Sequence, residues 1–127
     1  MIITVDEARG YFAHPSQQKA SRITPEELPR EGVIYMATGG VCGAFHDAHW
    51  PGVVMAHYAV KPEVWGRAIK PARAILAEFQ EQYQPAKIMG WTDENNRAAL
   101  AFARRIGFRE FGRLSLPDGA VIMQEYG

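Results

Sequence analysis

Asp93-Glu94-Asn95-Asn96-Arg97-Ala98-Ala99-Leu100-Ala101-Phe102-Ala103-Arg104-Arg105-Ile106-Gly107-Phe108 is the stretch that decides the fold. Its periodicity predicts an amphipathic helix, because Ala99, Phe102, Ala103 and Ile106 form one apolar stripe. Asp93 is expected to cap the amides of Asn95 or Asn96, and Glu94 suits the positive end of the helix. Gly107 should stop the helix in the left-handed conformation that other residues resist, with a strand opening at Phe108.

After it, residues 108–116 read as that strand, Pro117-Asp118-Gly119 as a turn and residues 120–126 as a final strand. On the other side, residues 86–91 read as a strand and 67–84 as the longest helix, with Ile69, Ala72, Leu76, Phe79 and Tyr83 at helical spacing. Three strands precede it, at 33–38, 41–47 and 53–60, separated by Gly39-Gly40 and by His49-Trp50-Pro51-Gly52. Residues 2–5 suit a short edge strand, and residues 6–18 and 24–28 suit short helices, the second opened by Thr24-Pro25. A meander followed by a β-α-β step predicts an α/β (α+β) domain, a mixed sheet with helices on its faces.

The 127 residues fit a single domain, 1–127, around one core. Fourteen basic and 14 acidic side chains cancel, so neither nucleic acid nor membrane is an expected partner, and any anion site must be local. The single Cys42 excludes an intrachain disulfide and has no activating neighbour in sequence, which predicts a buried structural thiol. No signal-peptide pattern opens the chain and no segment is long enough to span a membrane. A soluble, cytoplasmic protein is expected.

Two motifs together resemble the GNAT N-acetyltransferase superfamily. The first is Asn96-x-x-Ala99-x-x-Phe102-x-x-x-x-Gly107-Phe108. The second, residues 59–72, is Ala59-Val60-Lys61-Pro62-Glu63-Val64-Trp65-Gly66-Arg67-Ala68-Ile69-Lys70-Pro71-Ala72. It is similar to the family's acetyl-CoA loop, in which successive N–H groups at a helix start converge on a pyrophosphate. Gly66 is retained, while Ala68, Lys70 and Pro71 replace two glycines and a Ser or Thr. Pro71 removes one amide donor and disfavours helix at Lys70, which places the helix start as late as Pro71. Arg67, Lys70 and Arg73 set three cations at that start, each unfavourable there by about 0.3–1 kcal/mol unless a polyanion binds. The alternative is that these long side chains simply reach into water.

The resemblance implies a GNAT-like, mostly antiparallel mixed sheet flanked by helices, and acetyl-CoA as cosubstrate. The cofactor-binding positions it implies are Tyr58, Ala59, Val60, Gly66, Arg67, Ala68, Ile69, Lys70 and Asn96, with the main chain of residues 58–60 polarising the thioester. The tyrosine that often acts as general acid in the family falls here at Ala103, which has no proton to give. Catalytic candidates are His57 and Tyr58, with His46 and Asp47 as other choices of base. His57 and Tyr58 alternate along a strand, so at most one is expected to face the cleft. His46, Asp47, His49 and His57 could also converge on a cation, but no helical His pair or cysteine pair accompanies them, and no metal site is expected. Trp50 and Trp91 suit either an apolar pocket or the core.

The expected function is acetyl transfer to a primary amine by direct attack. The alternative is a catalytically inactive GNAT-fold protein with a structural or interaction role, since the chain also resembles compact acetyltransferase-like proteins encoded by tailed phages. The acceptor is not readable from the sequence, and a homodimer or an assembly partner fits equally well.

Overall fold

The computed structural model describes all 127 residues. In chain order the elements are β1 (Ile2–Ile3), α1 (Val5–Arg9), α2 (Pro15–Ser21), a helical turn (Pro25–Glu27), β2 (Val33–Thr38), β3 (Val41–Asp47), β4 (Val53–Val60), a second turn (Pro62–Val64), α3 (Ile69–Tyr83), β5 (Lys87–Asp93), α4 (Arg97–Ile106), β6 (Phe108–Leu116) and β7 (Gly119–Tyr126).

The strands form one sheet in the order β1-β2-β3-β4-β5-β7-β6. Every neighbouring pair is antiparallel except β4 and β5. That exception positions the site. β4 and β5 pair only from Val53↔Lys87 to Met55↔Met89, after which the two strands part. Ala56–Val60 of β4 and Gly90–Asp93 of β5 keep their outer partners, β3 and β7, but not each other.

Pleating divides the side chains between two cores. On the α3/α4 face, Phe45, Ile75, Leu76, Phe79, Ile88 and Ile106 are buried together. On the α1 face, Val5, Phe12, Leu28, Tyr35, Cys42 and Ala59 form the second core. Burying each Leu, Ile or Phe contributes about 1.5–3 kcal/mol. Cys42 is fully buried, and burial pushes its thiol up to about 12, which makes it inert at neutral pH.

Several boundaries differ from the sequence reading. Asn96, not Asp93, caps α4: its Oδ1 accepts from the Ala99 amide at 3.1 Å. Asp93 instead closes the preceding turn, accepting from the Asn95 amide at 2.9 Å. α3 begins at Ile69 rather than at Arg67 or Pro71. Pro71 is tolerated because its ring opposes the carbonyl of Arg67, which lies ahead of the helix. The N-terminal helix is broken at Gly10–His14, and Val5 belongs to α1, where Thr4 and Glu7 form a capping box.

Two glycines fix how these pieces meet. A Cβ on Gly40, at φ 83°, would stand 2.7 Å from Val64 Cγ2, so the β2–β3 turn lies directly on the loop before α3. Gly107 ends α4 at φ 118°, and a Cβ there would stand 2.8 Å from Tyr126 Cε1. Gly107 is therefore required both by the backbone turn and by the neighbour.

Candidate functional site

Where β4 and β5 part, a cavity of ≈ 570 Å³ passes through the sheet. Its walls come from both faces: Phe12 and Gln17 on the α1/α2 side, Ala99, Phe102 and Ala103 on the α4 side. His57 and Tyr58 both contribute to its lining, which corrects the expectation that at most one faces the cleft. Pleating does send them to opposite faces, but a cavity that crosses the sheet meets both. Val60, Gly66, Ala68 and Asn96 also line it. Ala59 does not, lying in the second core, and Arg67, Ile69 and Lys70 lie outside the lining.

At the mouth, the start of α3 presents unpaired main-chain donors. The amides of Gly66, Ala68, Ile69 and Lys70 have no protein acceptor, whereas Arg67 N–H donates to the Val64 carbonyl at 2.9 Å. Gly66 holds φ 86° with open space where a side chain would be. Four free N–H groups beside a positive helix end suit an anion. Pro71 costs this cradle one donor. The three-cation cluster is not what the sequence suggested. Arg73 turns away to the C-terminus of α4, donating from Nε and Nη2 to the Arg105 carbonyl at 3.0 and 2.7 Å. Arg67 donates to the Glu63 carbonyl at 2.6 Å. Lys70 is the cation left without a partner at this end.

The free edge of β4 is partly spoken for. Lys61 N–H bonds the Gly40 carbonyl and the Val53 carbonyl accepts from Ala48, so odd-numbered residues turn their main-chain groups toward β3. Those of Tyr58 and Val60 therefore face the gap. Gln17 Nε2 of α2 donates to the Tyr58 carbonyl at 3.1 Å, and the Trp65 indole donates to the Val60 carbonyl at 3.3 Å. Neither interaction was legible in sequence, since each joins segments whose meeting depends on the whole fold.

On the α1/α2 side, His46 and His57 form a pair. Their Nε2 atoms are 2.8 Å apart, with ring centroids 5.0 Å apart and planes 13° apart. The two nitrogens therefore lie close to the line between the ring centres, so the rings meet edge to edge and nearly coplanar. The partners decide the tautomers. His46 Nδ1 is 3.0 Å from the Asp47 carbonyl, which can only accept. With Nδ1 protonated, the Nε2 of neutral His46 must accept, so His57 Nε2 donates and His57 Nδ1 carries the free lone pair. Part of the His57 ring reaches solvent, but the protein enclosing the rest, and then the facing His46, push it down from 6.5 to about 4. With the two Nε2 atoms in one hydrogen bond, only one of them carries the proton between them. His49 does not join it, and no group of three His, Cys, Asp or Glu side chains is placed to hold a metal ion.

On the α4 side, Ala103 leaves the helix without a proton donor, and the hydroxyl brought to this face from β4 is that of Tyr58. Its ring packs edge-on against Phe102 and Phe45, at 6.1 and 6.4 Å between centroids. Its Oη is buried without a hydrogen-bond partner. Burial first, and Tyr126 second, hold its pKa well above the ordinary 10, so it stays a donor. Beside it, Gln124 is only 2% exposed and lines the same cavity. Thr92 Oγ1 donates to Gln124 Oε1 at 2.8 Å, which leaves Gln124 Nε2 a second buried donor with no partner. Buried polar atoms are almost always satisfied, so two orphans lining one cavity mark where a ligand's acceptors belong. The available signal for Gln124 was its polarity on the inward parity of β7, between Ile122 and Tyr126.

No protein-family model matches the sequence, and no curated protein matches it either. Solved structures do match. AAC(6')-Ib in complex with coenzyme A and kanamycin superimposes with a TM-score of 0.73 at 17% identity, over 98% of this chain and 91% of that one. The fold is that of the GNAT acetyltransferases. The ribosomal-protein-S5-alanine acetyltransferase from Vibrio fischeri gives 0.71 at 14% identity, over 98% and 90% of the two chains. The IAA acetyltransferase from Bacillus cereus gives 0.71 at 16%, over 99% and 96%. At these identities the likeness carries the GNAT fold, and the chemistry rests on the side chains just described.

Proposed function

We propose that the protein transfers an acetyl group from acetyl-CoA to a primary amine in the cavity between β4 and β5. One observation carries this reading: four unpaired amides at the start of α3 stand at the mouth of a cavity that crosses the sheet and holds two orphan donors. The solved structures of similar fold point the same way, since AAC(6')-Ib was captured with coenzyme A and kanamycin.

Gly66, Ala68, Ile69 and Lys70 would bind the pyrophosphate through main-chain N–H, with the Lys70 ammonium adding charge. Tyr58 and Val60 main-chain groups would hold the pantetheine arm, displacing Gln17 and Trp65 from their carbonyls, and Asn96 would flank the arm from the start of α4. The bound cosubstrate supplies the activated acetyl carbon, attacked directly by the amine. His57 Nδ1 takes the amine's proton, and the Nε2 proton of His57 passes to His46 Nε2, so the positive charge rests on His46 beside the Asp47 carbonyl. This relay offsets the weak basicity of His57, because the pair accepts the proton as a unit. Tyr58 Oη donates toward the departing sulfur, on the face where Ala103 cannot.

Thiol release from acetyl-CoA tests the reading, with kanamycin, an alanine-initiated peptide and tryptamine as acceptors. The expected result is amine-dependent release that falls at least about 100-fold in His57→Gln. An acetylated protein formed ahead of product would refute direct attack, and no release with any amine would refute transfer.

A further inference from the structure

The acceptor side of the cavity is distinguished by what it exposes and by what it lacks. Gly90 and Thr92 share the α4 face with Gln124, so Trp91 and Asp93 point to the α2 face, the side on which His57 lies. Trp65 belongs to the same side, since His14 at the head of α2 packs edge-on against it, 5.3 Å between centroids. Both tryptophans line the cavity, and both remain open, Trp65 at 55% and Trp91 at 47% exposure. Leaving two indoles in water at the rim of a cleft forgoes burial that a ligand restores.

Charge is missing from the same place. No Lys, Arg or Glu lines the cavity, and its one carboxylate, Asp93, is occupied by Arg22 at 3.2 Å and by the Asn95 amide at 2.9 Å. The neighbouring Glu94 is held by Arg113. A polycation bound here would keep most of its charges unpaired in a low-dielectric cleft, at heavy cost. A single ammonium, by contrast, meets indole faces that attract it without a counter-ion. An apolar mouth also lowers the ammonium's own pKa, which eases loss of its proton to a weak base.

Resting on the acetyl-transfer reading above, we propose that the acceptor is a primary monoamine with an aromatic body, stacked on Trp91 and admitted past Trp65. Polycationic amino sugars, the acceptors seen with the similarly folded AAC(6')-Ib, are excluded by the same charge argument.

Steady-state acetylation of tryptamine and of kanamycin, each at saturating acetyl-CoA, tests this. Tryptamine should show kcat/KM at least about tenfold higher. Trp91→Ala should raise the tryptamine KM about tenfold and leave acetyl-CoA affinity unchanged, while Trp91→Phe, which keeps an aromatic face, should restore most of the loss. A kanamycin preference, or an unchanged tryptamine KM in Trp91→Ala, would overturn the acceptor assignment and leave the transfer reading standing. Acetylation of the alanine-initiated peptide alone would also overturn the acceptor assignment, whereas acetyl-CoA binding with none of the three amines acetylated would refute the transfer reading, and the acceptor assignment with it.

Discussion

Tyr58 and His57 separate two roles that one substitution each can read. Tyr58→Phe removes a buried hydroxyl that has no protein partner, so stability should hold or rise by up to about 1 kcal/mol. Turnover in the same variant should fall about 10- to 100-fold if the hydroxyl serves the leaving sulfur. His57 reports through pH. The native protein keeps it neutral down to about pH 4, whereas the unfolded chain protonates it near 6.5. Between those values the unfolded state binds more protons, so the His57 contribution is complete above 6.5 and is lost as pH falls toward 4. Urea unfolding at pH 7 and pH 5 should show that loss in the wild type and a smaller one in His57→Gln. Both residues were legible in the sequence as strand neighbours of opposite facing. Their partners were not, because His46 meets His57 only through the β3–β4 register, and Gln124 meets Thr92 only across the β5–β7 pair.

Two cations near the start of α3 separate a proposed binding role from a bracing one. Arg73 donates two hydrogen bonds to the last turn of α4, so Arg73→Met should cost about 1 kcal/mol and leave acetyl-CoA affinity within about twofold. Lys70→Glu should do the reverse, leaving stability unchanged and weakening acetyl-CoA about tenfold, since Lys70 has no partner to lose and lies in the first turn of α3, at the proposed anion site. Calorimetric titration and thermal unfolding of the two variants read both effects. Local patterns made most element ends readable: the apolar runs of β2, β3 and β4 and the Gly107 stop all fall where the sequence placed them. The exceptions are informative. Asp93 and Asn96 are both good caps by chemistry, and only the path of β5 into the turn decides between them. The parting of β4 from β5 leaves no trace in either strand's composition, because pairing is a property of the sheet rather than of the segment.

Across the whole molecule, basic and acidic side chains balance, so the proposed anion site rests on backbone amides rather than on a basic patch. No helix is long and apolar enough to cross a membrane. Glu94, Glu125 and Glu110 are held in ion pairs with Arg113, Lys87 and Arg104, and none of the six lines the cavity, whose one carboxylate, Asp93, is paired with Arg22. The proposed function joins the free amides at the start of α3 to an opening lined by Trp65 and Trp91, through the parting of β4 from β5. The most direct measurement is the thermal unfolding midpoint with and without acetyl-CoA at about 1 mM. A rise of several degrees is expected, largely removed by Lys70→Glu, because a ligand bound only by the native state must stabilise it. An unchanged midpoint would contradict it and leave the fold serving a structural or interaction role.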